Sequence, residues 1–342
     1  MARRCCTAEP GRTTKEPGPQ LRSESRARFC VPAPALPMVI ELWLTDRVGR
    51  SPSLARRFFD RLEPVHAVTY FSGESRSALE GLGFRGFWQG YFAARSAPLG
   101  RVAPEVVAAV FYNFTPERVA KTLPAVWDLA APSTVLAVRS EAAVAALRRA
   151  GVTDSPATRT AADLAAAAAR NAPLDARPLF AANRALDWPD EPVAMLWHAV
   201  TLLREQRGDA HVAVLAAEGI SGRECNVLHA AAGRVPAEMI KRSRDYDDEQ
   251  WNLHVDALRR RGWLDGAGEL TEAGRAIKKH VEDRTDTLAL TALEALTDTE
   301  VETLFATLTP ITRLVVAAGD IPVDTPMGLR RDDLDDDSAH LT

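Results

Sequence analysis

The sequence predicts a mainly α protein: a multi-helical N-terminal domain, then three helices closed by a short β-hairpin. Three observations predict it. Alanine is abundant and aromatic residues make up only 6%, a balance that favours helix over strand. Apolar residues recur at i, i+3, i+4 and i+7 along most of the chain. One stretch, from Gly262 to Gly274, breaks that period with Asp265-Gly266 and Gly268, which suit a tight hairpin.

Residues 1–40 lack apolar periodicity and are rich in Arg, Pro, Ser and Gly, so they read as a disordered or artefactual tail. Met38 is then the expected translation start. A basic arm or a targeting peptide is the alternative, but no hydrophobic segment supports the latter. From Ser53 to Phe71 the chain reads as helix with Phe58, Leu62, Val65 and Tyr70 on one stripe, and Pro64 is expected to kink or split it. Ser72 caps a short helix that ends near Gly81. Phe84 to Arg95 follows and Pro98-Leu-Gly100 breaks it. Pro104 to Tyr112 is helical. Thr115-Pro116-Glu117 combines a cap, Pro at the first helical position and an acid, so a helix starts there. Ser133–Ala150 and Pro156–Arg170 read as Ala-rich helices, and Arg177–Leu186 as another. Trp188-Pro-Asp-Glu-Pro192 is a turn, which puts a domain boundary between 50–190 and 191–318. Val193–Gln206 and Asp209–Glu218 read as two helices around Gly208.

The last third follows a tighter grammar. A helix runs from Arg223 to Ala231 and stops at Gly233. Pro236 opens a second. Asp247 or Asp248 caps a third, whose Trp251, Val255 and Leu258 form one buried stripe. Gly262 ends it, the hairpin follows, and Thr271 caps a helix with Ile277, Val281 and Leu288 inward. That order is a winged helix-turn-helix with a short hairpin wing. Asp298 caps a closing helix to Val316. Residues 319–342 are acidic and read as a disordered tail.

Residues 258–286 (LRRRGWLDGAGELTEAGRAIKKHVEDRTD) resemble the end of the DNA-binding domain of MarR-type transcription regulators. A wider likeness spans about Leu54 to Val316. Its strings are LEPVHAVTYF, GFWQGYFAARSAPLG, LPAVWDLA, FAANRALDWPDEP and LWHAVTLLREQRGDAH. These resemble an actinobacterial family with a SalK-like helix-turn-helix, mostly uncharacterised. The resemblance implies a DNA-binding module and names no ligand.

Charge speaks on both sides of DNA binding. In a helix-turn-helix the start of the third helix meets base edges. The candidate contacts are Lys241, Arg242 and Arg244, with Gln250 and Asn252 on the third helix. Yet Asp247-Asp248-Glu249 opens that helix, and the hairpin tip carries no Lys or Arg. Packing or partner binding therefore stands beside DNA binding as the use of this module.

Two polar clusters suggest a small-molecule site. The first contains His66, Tyr70, Trp88, Tyr91, Arg95 and Asn113, with Arg95 offering a planar fork to a carboxylate or phosphate. The second contains Arg204, Arg207, Asp209 and His211, with His198 and Glu205 on the same helix. A small-molecule-binding or metal-binding protein, even an enzyme, is the alternative function. The bland reading is an aromatic core and an ion-pair network joining the two domains. No phosphate loop, HExxH or GxSxG occurs, so no catalytic residue, cofactor or resident metal is assigned. Cys225 and His229 are four apart but lack a third group.

The net charge of −4 gives no overall attraction to nucleic acid or anionic membrane. No apolar run approaches the roughly 20 residues that span a bilayer. The cysteines are 5, 6, 30 and 225, without a CxxC, which fits a reducing cytoplasm. Homodimerisation is left open.

Overall fold

The computed structural model describes residues 49–322, 331 and 333–341, and fifteen α-helices run through them. The expected N-terminal tail and its Met38 start lie outside the described residues. Proline punctuates the first two-thirds. It opens α1 (Pro52–Phe71), α4 (Pro104–Phe111), α5 (Pro116–Ala120), α7 (Pro132–Arg149), α8 (Pro156–Asn171), α9 (Pro178–Arg184) and α10 (Pro192–Ala217). At that position the absent N–H removes no helical bond. Between them lie α2 (Gly73–Gly81), α3 (Gly86–Ser96) and α6 (Val126–Leu129). The C-terminal helices are α11 (Gly222–Ala231), α12 (Ala237–Arg244), α13 (Asp248–Arg260), α14 (Glu272–Leu290) and α15 (Asp298–Ala317). Polar caps start several of these: Ser221, Asp247 and Thr297 each form a reciprocal capping box with Glu224, Gln250 and Glu300.

Two expected interruptions do not occur. Helix α1 continues through Pro64, which is buried within it. Helix α10 continues through Gly208 for 26 residues, about 39 Å at 1.5 Å per residue. A lone helical glycine costs only about 1 kcal/mol relative to alanine, and α10 is packed along its whole length against α1, α8, α9 and α14.

Three apolar cores result. The largest joins α1, α7, α8, α10 and α15. Its Ala161, Ala162, Ala165, Ala166, Ala168 and Ala169 are all fully buried, so α8 brings its backbone close to both α10 and α15. An aromatic core gathers Phe84, Phe92, Phe111, Phe114 and Trp127 from α3, α4 and their neighbours. The third core sits under α11, α12 and α13 and contains Val227, Leu228, Ile240, Tyr246, Trp251 and Leu258. Trp251 is 9% exposed and packs against Tyr246. All described helices fall in one unit by contact.

The wing is absent. Among the described residues no strand forms, and the only pairing after Trp263 is one isolated antiparallel bridge, Leu264 with Leu270. The loop chemistry explains it. Asp265 turns its carboxylate onto the amides of Ala267 and Glu269, at 2.9 and 3.0 Å, which closes the loop on itself. Thr271 then caps α14 at once, leaving no residues to extend a ladder. Arg259 braces the loop from α13 by donating to the carbonyls of Asp265 and Gly266.

Part of the C-terminal stretch read as a free acidic tail packs on the body. Arg61 on α1 is 0% exposed. It donates to the carbonyls of Asp333 and Asp336 at 2.9 and 2.6 Å. Arg57 bonds Asp333 at 2.8 Å, and Glu302 accepts from the Ala339 amide. A buried guanidinium needs acceptors, and this segment supplies them.

The trihelical unit α11–α13 meets the body at a close backbone approach. A Cβ on Gly222 would stand 1.9 Å from the Tyr112 carbonyl oxygen, and one on Gly274 would stand 2.1 Å from that of Trp263. Gly266 has open space around it. Gly222→Ala and Gly274→Ala are each expected to cost about 2 kcal/mol or more in chemical denaturation, and Gly266→Ala less than about 0.5 kcal/mol. Equal costs at the three positions would show that the two approaches are not tight.

Candidate functional site

A cavity of about 410 Å³ lies where α1, α3, α4, α10, α11, α12 and α14 meet. Small-molecule pockets commonly run from about 300 to 1,000 Å³. Part of its lining is aromatic: Phe59, Tyr70 and Phe71 from α1, Phe87, Trp88 and Tyr91 from α3, Phe111 from α4, and Phe114 just beyond. The rings pack edge-on and offset, as Trp88 on Phe114 (5.7 Å) and Phe87 on Tyr91 (5.8 Å) show. Helices α10 and α14 supply part of the polar lining, through Arg204, Arg207, Asp209, His211, Lys278 and Glu282. Helix α12 contributes Met239, Ile240, Ser243 and Arg244.

Both sequence clusters meet here. Of the ten expected ligand residues, Tyr70, Trp88, Tyr91, Arg95, Asn113, Arg204, Arg207, Asp209 and His211 line the cavity. His66 does not. It lies behind Tyr70, bonding the Tyr70 hydroxyl and Thr201 at 3.0 Å each. His198 packs edge-on against Trp188 at 4.7 Å, away from the lining.

Arg95 is not free to bind an anion. It makes a two-pronged pair with Glu205, both contacts 3.2 Å, and lies over the Phe111 ring at 4.3 Å. Arg204 donates to the same Glu205 at 2.9 Å and to Glu63 at 3.1 Å. Burial pushes the Glu205 carboxyl up, but Arg204 and Arg95 outweigh it and hold the group well below the usual range. Burial raises Glu63, against the pull of Arg204. A second network ties α14 to the body: Arg207 bonds Asp286 at 2.7 Å and Glu282 at 3.3 Å, and Arg56 pairs with Glu282. The ion-pair and pocket readings of the sequence thus describe one place: the pairs form part of the cavity lining.

His211, His229 and Cys225 are held neutral near pH 7. Burial lowers His211 to about 4, against Glu282. It lowers His229 to about 4, with Lys278 adding to the effect. Burial raises Cys225 to about 11. A thiol pushed up beside an imidazole pushed down is the reverse of a reactive thiolate pair. Asp209 is raised to about 7 by burial and by Glu205, while it accepts from the Phe180 amide at 2.9 Å. Among the described residues no group of three or more His, Cys, Asp or Glu could hold a metal ion.

The five expected DNA contacts separate. Lys241 pairs with Glu238 and with Asp248 (2.7 Å), which also offsets the acidic start of α13. Gln250 is used in the capping box with Asp247. Arg244 turns into the cavity, its guanidinium 4.1 Å over the Phe114 ring. Arg242 and Asn252 are exposed, beside a Leu253 that is 62% exposed. Sequence reasoning missed Phe59, Phe114, Cys225, His229, Lys278, Glu282 and Arg244 as lining residues. Lys278, Val281 and Glu282 share one face of α14 by spacing, but one sequence does not say which neighbour that face meets.

The histidines set a pH dependence. His66, His198, His211 and His229 all have folded pKa values below the ordinary 6.5. The unfolded chain therefore binds more protons between about 4 and 6.5, so their contribution is present above 6.5 and lost on acidification. Asp209, raised to about 7, acts oppositely: its contribution is present below about 4 and lost as pH rises towards 7. Glu63 and Asp286, also raised by burial, act with Asp209, but the lowered histidines, His254 included, outnumber these carboxyls, so the melting temperature should fall as pH drops from about 7.5 to 5. A flat or rising profile would contradict neutral burial of these rings.

No helix among the described residues is long and apolar enough to cross a membrane. No curated protein and no solved structure matches the chain. A helix-turn-helix family, however, matches residues 55–322, which takes in the helical body, the cavity and the trihelical unit together. The chain belongs to that helix-turn-helix family.

Proposed function

We propose that the protein is a ligand-responsive DNA-binding regulator, in which α13 meets DNA and an occupant of the cavity alters how α12 and α13 are held. The observation that carries this reading is the double membership of α12. Met239, Ile240, Ser243 and Arg244 line the cavity, while Arg242, on the same short helix, faces solvent. An occupant would therefore touch the element next to the recognition helix. The DNA half is supported by family membership and by the open face of α13. Arg242 can meet phosphate, Asn252 can pair with a base edge, and Leu253 can contact a thymine methyl group.

A second reading has its own support: Lys241, Arg244 and Gln250 all spend their side chains within the protein. In that reading the trihelical unit packs and only the cavity acts. Fluorescence anisotropy with duplexes from the source genome separates the two. Binding at ~50 mM salt should weaken linearly on a log–log salt plot. Arg242→Ala should weaken it across sequences and reduce the slope by about one. No salt-dependent binding to any duplex would sink the DNA half and leave the second reading.

A further inference from the structure

Most charges on the cavity lining are already matched inside the protein. Arg95 and Arg204 share Glu205, and Arg56 and Arg207 share Glu282 and Asp286. Lys278 forms no ion pair among the described residues, but its charge and that of Glu282, one helical turn on, act on each other. Arg244 differs. Among the described residues it forms no ion pair, its nearest acceptor is the neighbouring Ser243 hydroxyl at 3.4 Å, and its Nε is buried without a partner. Its guanidinium lies over the Phe114 ring at 4.1 Å and 5.9 Å from the Trp88 ring. A half-buried cation with free donors is costly unless an anion completes it. The planar fork suits two parallel bonds to a carboxylate-like group, and the rings beside it suit a flat partner.

We infer that the cavity receives a planar aromatic anion and that Arg244 takes its negative group. This rests on the cavity being a ligand site, as proposed above, and adds the class of ligand and the residue that selects it. The anion-binding arginine is thus not Arg95, which Glu205 occupies, but one at the end of α12. Asp247, three residues on, caps α13, so the contact also reaches the turn that presents the recognition helix.

Two fluorescent probes with one ring system test it on the full-length protein: 1-anilinonaphthalene-8-sulfonate, an anion, and N-phenyl-1-naphthylamine, its neutral counterpart. The anion should bind saturably at one site and more tightly than the neutral probe. Arg244→Met should weaken the anion about tenfold or more and leave the neutral probe unchanged. Arg244→Lys, which keeps charge but loses the fork, should fall between. Arg242→Met, on the exposed face, should change neither. Circular dichroism melts verify that each variant folds, and the two-probe comparison on unsubstituted protein needs no variant. Equal affinity for both probes, or an Arg244→Met protein that binds the anion normally, would overturn the assignment while leaving the cavity a ligand site. Failure of both probes to bind would overturn the cavity reading as well.

Discussion

The carboxylate of Glu205 is the point on which the interior depends. It lies at the middle of α10, 2% exposed, and accepts from Arg95 on α3 and from its neighbour Arg204, which reaches on to Glu63 on α1. Three helices are therefore fixed to one another by two positive and two negative groups with little water to screen them. Such a cluster is weak evidence of stability, since desolvation offsets much of the attraction. It is strong in register: a helix that slid by one residue would strand a charge. Register is what a cavity needs, because its lining comes from elements far apart in the chain.

The second network performs a different task. Arg56 and Arg207 hold Glu282 and Asp286 on α14, and α14 is the element that runs from the trihelical unit into the body. Val281 on the same helix belongs to the core beneath α11, α12 and α13. One rigid helix thus carries both the body's ion pairs and the module's apolar contact. The cavity lies between these two attachments, with α11 and α12 as the module's contributions to its lining.

Much of this was legible in the sequence because it is local. Thr115-Pro116 and the Asp247 cap are start signals whose bonds close within a few residues, and they form as the sequence suggests. The Trp251 stripe is read from period alone, and it is buried. The two polar clusters were visible as compositions, yet their meeting was not, since α1, α3 and α10 are brought together by packing that no spacing encodes. The hairpin failed for a countable reason. Glycine and aspartate signal a turn, but a strand also needs partners in series, and Asp265 and Thr271 use the available amides first. Arg244 was misplaced because a basic residue at the end of a helix looks the same whether it faces water or Phe114. Pro64 and Gly208 misled in the other direction: both weaken an isolated helix, and tertiary contacts on α1 and α10 override them.

The near-contact between Gly222 and the Tyr112 carbonyl has a use beyond this molecule. Tyr112 holds its backbone at φ 53 there, and its hydroxyl bonds the Ile220 carbonyl at 2.6 Å, so neither side of the seam has slack. Any side chain at that position, even a methyl group, is incompatible with the seam as built. The single letter at position 222 is therefore a diagnostic for kindred chains: those with glycine can inherit this docking geometry, and those with anything larger must have built the joint another way.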